Sequence, residues 1–115
     1  MEIKRFHVGK RLSEMAVHNG TIYLAGMVPE NAGDIQAQTA DVLAQIDRLL
    51  AEAGSDKSRI LMAQIYITDL ANFPGMNEVW DAWVAEGHTP PRATVVAQLA
   101  RPEWLLEIVV TAAQK

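Results

Sequence analysis

Apolar and polar positions change period several times along the 115-residue chain, and each change marks an element. "EMAVHNGTIYLAG", Glu14 to Gly26, reads as two short strands around Asn19-Gly20, because a type I′ turn needs φ > 0 at both central residues and that dipeptide tolerates it. A polar link follows Pro29. Asp34 then precedes apolar residues at Ile35, Val42, Leu43, Ile46, Leu49, Leu50 and Ala53, a helical spacing that Gly54 ends as a C-terminal cap. "ILMAQIYIT", Ile60 to Thr68, alternates in part and is rich in β-branched residues, which predicts a strand partly buried on both faces. The helical crossover before it is long enough for parallel pairing. Asn72 is placed to cap a second helix with Pro74 in its first turn. Phe73, Met76, Val79, Trp80, Trp83 and Val84 line one side of that helix up to Gly87. Its tryptophans are read as core rather than as a cofactor platform. Ala93 to Leu99 and Trp104 to Ala113 complete the chain as two strands around "ARPE", whose Pro102 cannot continue a ladder.

Two or three strands, a helix, a strand, a helix and two strands predict an α+β fold, a mixed β-sheet with two helices packed on one face. Residues 1–115 suffice for one core and are read as a single domain. Both parities of Ile60–Thr68 and Leu105–Ala113 are substantially apolar, so a lone chain would leave an apolar sheet face in water. A homo-oligomer packed sheet to sheet removes that exposure.

Charge and composition narrow the partners. The net charge is −4 and the ten Lys and Arg are scattered rather than gathered in a stripe, so no nucleic-acid partner is expected. With no cysteine in the chain, disulfides, thiolate metal sites and a cysteine nucleophile are excluded. His7, His18 and His88 form no metal-ligand spacing, and no metal site is expected. "MEIKRFHVGKRL" lacks a signal-peptide core and no apolar run approaches a membrane span, which points to a cytoplasmic chain with no membrane partner.

The chemistry-bearing charges stand in "TPPRATVVAQLARPEWLLEIVV", Thr89 to Val110. If the last two strands form a hairpin pairing Leu99 with Trp104, Glu107 lies opposite Val96, on the face of Arg92 and roughly 13 Å along from it. At that distance each charge seeks a partner elsewhere: solvent, a neighbouring subunit or a ligand. An arginine fixed by two prolines suits a small carboxylate, because its planar fork donates two parallel hydrogen bonds and stays charged. Glu107, beside Leu106 and Ile108, is expected to be partly desolvated, which raises a carboxyl pKa toward the range useful for proton transfer. Pattern alone equally allows Arg92 as a surface arginine pairing with Glu86 or Glu103, and Glu107 as an edge-strand charge that discourages aggregation.

"PPRATVVAQLARPEWLLEIVV" resembles the C-terminal signature of the RidA (YjgF-type) family, in which a proline-rich turn leads into an arginine and a glutamate follows fifteen residues later, as Arg92 and Glu107 do. "GTIYLAGMVP", "QTADVLAQIDRLLAEAGSDKSRI" and "ITDLANFPGMNEVWDAW" resemble its central blocks, so the likeness spans nearly the whole chain and is nearest the short YoaB-like, RutC-type branch. The resemblance implies a chorismate-mutase-like α+β fold assembled as a homotrimer, its sheets forming an inner barrel, with ligand clefts between subunits. It implies hydrolysis of a reactive enamine or imine such as 2-aminoacrylate to a 2-keto acid and ammonia, with no cofactor. By that likeness Arg92 binds the substrate carboxylate and Glu107 activates water. Thr94, Gly26 with its neighbour Ala25, and Asn77 complete the substrate site. The chain departs from the family's deaminases in three places: a tyrosine is replaced at Leu12 or Ser13, a serine at Ala25 and a cysteine at Thr94. The missing hydroxyls keep open a non-catalytic alternative, binding or sensing of a small carboxylate such as a 2-keto acid. Ribonuclease activity, associated with some family members, finds little support in an acidic chain without a basic groove.

Overall fold

The most apolar strands take the centre of one mixed sheet. The computed structural model describes residues 2–115. It contains β1 (Lys4–Val8), β2 (Ser13–His18), β3 (Thr21–Leu24), α1 (Ile35–Glu52), β4 (Ile60–Ile67), α2 (Phe73–Trp83), β5 (Arg92–Val96) and β6 (Leu106–Ala113). Their order across the sheet is β1-β2-β3-β6-β4-β5. Both helices cover one face, whose side chains from β2, β3, β4 and β6 join Val42, Leu43, Ile46, Leu50, Met76 and Trp80 in one buried cluster. The expected α+β architecture is therefore present.

Local signals act as expected at three points. Asn19 and Gly20 both take positive φ, 53° and 79°, closing β2 on β3 with His18 opposite Thr21. Asp34 caps α1 by accepting from the Ala37 N–H at 2.9 Å. At the other end Gly54, φ 75°, lets its own N–H reach the Ala51 carbonyl and the Ser55 N–H reach that of Leu50, a Schellman closure.

Elsewhere the chain departs from the expectations. Asn72 makes no side-chain cap; it ends a short 3₁₀ turn, Leu70–Asn72, that Asp69 initiates by accepting from the Ala71 N–H, and this turn runs straight into α2. That helix stops at Trp83 rather than continuing to Gly87, because Val84 turns to extended ψ of 143°. The crossover through α1 does not make an adjacent parallel pair, since β6 inserts antiparallel between β3 and β4.

The last two strands do not form a hairpin. β5 pairs parallel with β4, Ala63 opposite Arg92 and Ile67 opposite Val96, while β6 pairs antiparallel with the other side of β4. Leu99 and Trp104 lie outside both strands, and the pairing of Glu107 with Val96 does not occur. The physical reason is burial. Leu106, Ile108, Val110 and Ala112 are at most 1% exposed, which a central strand under two helices provides and an edge does not. The five-residue β5, with Val95 and Val96 exposed, occupies the edge instead.

Candidate functional site

Strand neighbours decide which way each predicted site residue faces. Glu107 sits opposite Tyr66, and Tyr66 opposite Val95, so these three share a row and a face. Arg92 is three residues from Val95 along β5, an odd offset that turns it to the other face. Arg92 and Glu107 are thus separated by two strand spacings, by about 10 Å of strand rise and by the sheet itself. The expectation that they share a face of one chain is overturned with the hairpin that produced it.

Glu107 belongs to the face not covered by helices. Its sequence neighbours Leu106 and Ile108 point into the core and do not wall it. What meets it is Gly26, just past β3: a β-carbon built there would lie 2.1 Å from Glu107 Oε2 and 2.7 Å from Cδ. Irregular pairing brings Gly26 there. Ala25 N–H donates to the Glu14 carbonyl, and Met27 then bridges to Ile108 through N–H and carbonyl at 2.8 and 3.0 Å. Gly26 is left facing the open side, where the absence of a side chain makes room for the carboxylate. Gly26 is therefore brought together with Glu107, while its neighbour Ala25 packs against the core cluster.

Arg92, Thr94 and Asn77 form a second group on the helix side, at the free edge of the sheet. Arg92 and Thr94 are two apart on β5 and face α2, whose Phe73, Asn77 and Trp80 fall on one stripe at helical spacing. The Arg92 guanidinium carbon lies 5.2 Å from the Trp80 ring centroid and 5.8 Å from that of Phe73. None of the four ion pairs among the described residues involves Arg92, so the proposed pairings with Glu86 and Glu103 are not made. Thr94 Oγ1 and Asn77 Oδ1 are buried without a hydrogen-bond partner, the only two such side-chain atoms among the described residues. Buried oxygens of this kind are costly unless something else supplies a donor.

The edge also leaves main-chain groups free. The Pro91 carbonyl accepts from Ala63 N–H and the Ala97 N–H donates to the Ile67 carbonyl. In a parallel ladder this alternation turns Ala93 and Val95 toward β4 and leaves the N–H and carbonyl of Thr94 pointing outward. One chain therefore presents two half-sites: an acidic one against Gly26 on the open face, and a cationic one with free polar groups at the edge.

Gln38 was not among the predicted residues, though it is 2% exposed and organises the approach to β6. Its amide donates to the Gly33 and Glu103 carbonyls, both at 3.0 Å, and accepts from Leu105 N–H at 2.8 Å. A glutamine within a helical run carries no local signal of burial. Of the two candidates for the tyrosine's position, Leu12 is exposed on the turn between β1 and β2 and Ser13 opens β2. Among the described residues no cluster of His, Cys, Asp or Glu suits a metal, and no helix is long and apolar enough to cross a membrane.

A mixed sheet with two helices on one face, the other face open and an arginine on the free edge, defines an α+β chain of chorismate-mutase-like type. The family described as Endoribonuclease L-PSP matches residues 2–114, and the chain belongs to it. A solved structure of a YjgF-family protein from Neisseria meningitidis is 56% identical, superposes with a TM-score of 0.98, and is covered over 97% of its chain by 100% of this one. The RutC family protein YoaB of Escherichia coli (strain K12) is 47% identical over 114 residues, 98% of this chain and 99% of that protein. A protein of Acinetobacter baylyi (strain ATCC 33305 / BD413 / ADP1) named 3-aminoacrylate deaminase RutC is 33% identical over 98 residues, covering 79% of this chain and 77% of that one.

Proposed function

We propose that this chain hydrolyses small reactive enamines or imines bearing a carboxylate, of the 2-aminoacrylate kind, to 2-keto acids and ammonia, at clefts between the subunits of a homotrimer. The observation that carries the reading is the Arg92 guanidinium, partly buried on two aromatic rings and without an acidic partner. Such a cation retains its in-plane donors for an incoming carboxylate. Since Glu107 lies on the opposite face, one chain cannot offer both groups to one small molecule. A second copy supplies the other half, and three copies with open faces turned inward into a barrel also cover Tyr23, Leu61 and Val95, each about half exposed in the single chain.

In this arrangement Arg92, with the outward N–H of Thr94, holds the carboxylate. Glu107 of the adjoining subunit, seated on Gly26, takes a proton from water as the water adds to the electrophilic imine carbon. Glu107 returns that proton to nitrogen, giving a carbinolamine, and then relays the hydroxyl proton to the same nitrogen as the C–N bond breaks, which releases ammonia and leaves the keto acid. The 3-aminoacrylate deaminase named among the relatives supports this class of reaction. An RNA phosphate backbone is a poor match for a chain of net charge −4 with scattered cations.

Ala25, and Leu12 or Ser13, standing where the family's deaminases carry a serine and a tyrosine, favour a second reading, a cleft that binds a 2-keto acid without turnover. The experiment is keto-acid release from enzymatically generated 2-aminoacrylate, run beside calorimetric titration with pyruvate and 2-oxobutanoate. Turnover lost in Arg92→Ala supports the deaminase. Binding without turnover supports the sensor, and equal release by wild type and Arg92→Ala removes the proposal.

A further inference from the structure

We infer that Trp80 and Phe73 are positioning residues that hold Arg92 in a pre-set orientation for its anion, an inference that rests on the carboxylate-binding reading of Arg92. A partly buried guanidinium needs stabilisation, and a carboxylate partner would supply it while consuming the forked N–H edge that recognises a second carboxylate. An aromatic face attracts the cation through its quadrupole and leaves that edge unused. Arg92 has the second arrangement, 5.2 Å from the Trp80 centroid and 5.8 Å from that of Phe73. The ring faces do not neutralise the charge, so the site remains attractive to an anion.

The cradle is itself anchored away from the proposed cleft. Trp80 is 5% exposed and packs against Trp83, with ring centroids 5.3 Å apart and planes tilted by 52°. Trp83 in turn donates from Nε1 to Asp47 Oδ2 on α1 at 2.9 Å, and Lys57 both covers its ring at 5.2 Å and donates to its carbonyl. Asp47, Trp83, Trp80 and Arg92 make one continuous chain of contacts from α1 to the sheet edge. This accounts for two tryptophans three residues apart in an eleven-residue helix: one is the face under Arg92, the other locks that face in place.

The test is calorimetric titration of pyruvate into wild type, Arg92→Lys, Trp80→Leu, Trp80→Phe and Phe73→Leu, with circular dichroism confirming that each is folded. Trp80→Leu and Phe73→Leu weaken binding by roughly 3- to 30-fold, the range expected for loss of a desolvated cation–π contact. Trp80→Phe, which keeps an aromatic face, recovers most of that loss. In wild type pyruvate changes the tryptophan emission, and Trp80→Phe loses the change while still binding. With turnover as a second readout, Trp80→Leu raises KM more than it lowers kcat, because the ring acts on the anchored carboxylate. Should Trp80→Leu fail to fold, Phe73→Leu carries the same test. Wild-type affinity in both leucine variants, with binding lost in Arg92→Lys, overturns the cradle alone. Absence of saturable pyruvate binding in wild type overturns the underlying carboxylate reading with it.

Discussion

Gly26 faces the carboxylate of Glu107 so closely that a β-carbon would stand 2.1 Å from Oε2. The obstructing atoms belong to the end of a flexible side chain, so Glu107 can swing away at little cost to the fold. Gly26→Ala is therefore expected to change unfolding free energy by less than about 1 kcal/mol. Keto-acid release falls roughly 10- to 100-fold, as for a misplaced reacting group. If displacement of Glu107 is the cause, Gly26→Ala adds nothing in a Glu107→Ala background. Independent, multiplying losses in the double variant contradict it.

How much of this was legible in the chain depended on whether a signal was local. Asn19-Gly20 and Gly54 act through their own backbones and Asp34 through a carboxylate that bonds an N–H three residues on, and the structure uses each as the sequence indicated. The partner of β5 is not a local property. Proximity along the chain argues for a hairpin with β6, whereas the parallel pairing with β4 depends on α2 returning across the sheet and on β6 burying its whole inner face. The site inherited this error. Spacing selected Arg92 and Glu107, but their faces follow from strand neighbours, and a change of partner moved one of them through the sheet. The helical stripe marks Phe73 and Trp80 as one side of α2, and their contact with Arg92 follows only from where the β5 edge lies.

Gln38 connects the interior to the same site. Its three bonds fix Gly33, Glu103 and Leu105, and Leu105 lies two residues before Glu107. Gln38→Leu keeps the volume and leaves an N–H and two carbonyls without their partner. The expected destabilisation is about 1–3 kcal/mol in urea unfolding, the loss of three hydrogen bonds made by a side chain that is itself 2% exposed, partly offset by water at the exposed Gly33 and Glu103. A change below about 0.5 kcal/mol would show that those backbone groups find other partners.

Asp41 ties the segment after Gly26 to α1, and its effect depends on pH. Burial pushes its carboxyl pKa up, but hydrogen bonds from the side chain of Gln45 and from Asn31 and Glu30 outweigh that and hold it below the ordinary carboxylate range. The unfolded chain therefore binds this proton more tightly than the folded one. The stabilisation is fully present above the unfolded pKa of about 3.9 and is lost as pH falls through the lower folded value. Asp41→Asn should be less stable than wild type near neutral pH, with the difference closing as pH falls below the unfolded pKa and through the lower folded one. Urea midpoints measured over that range check it, and a gap independent of pH contradicts the assignment.

Val95 tests whether the open face is covered by other copies. It shares its row with Tyr66 and Glu107, is 45% exposed, and lies on the edge strand that also carries Arg92. Were the open faces turned inward in a homotrimer, Val95→Lys would place an unpaired ammonium in each interface. Removing such a charge from water costs several kcal/mol, so dissociation should strengthen by more than about 100-fold. Val95 is exposed and outside the core cluster, and circular dichroism and thermal unfolding of the separated chains should remain those of a folded protein. Sedimentation equilibrium is expected to read three chains per particle for wild type and single chains for Val95→Lys. Keto-acid release should fall in parallel, since separation parts Arg92 from the Glu107 of its neighbour. A wild type that sediments as one chain would remove the shared cleft, since the two faces of the sheet keep Arg92 and Glu107 apart within a single chain, and a Val95→Lys variant that keeps both its assembly and its turnover would show that the interface does not run through the open face at Val95.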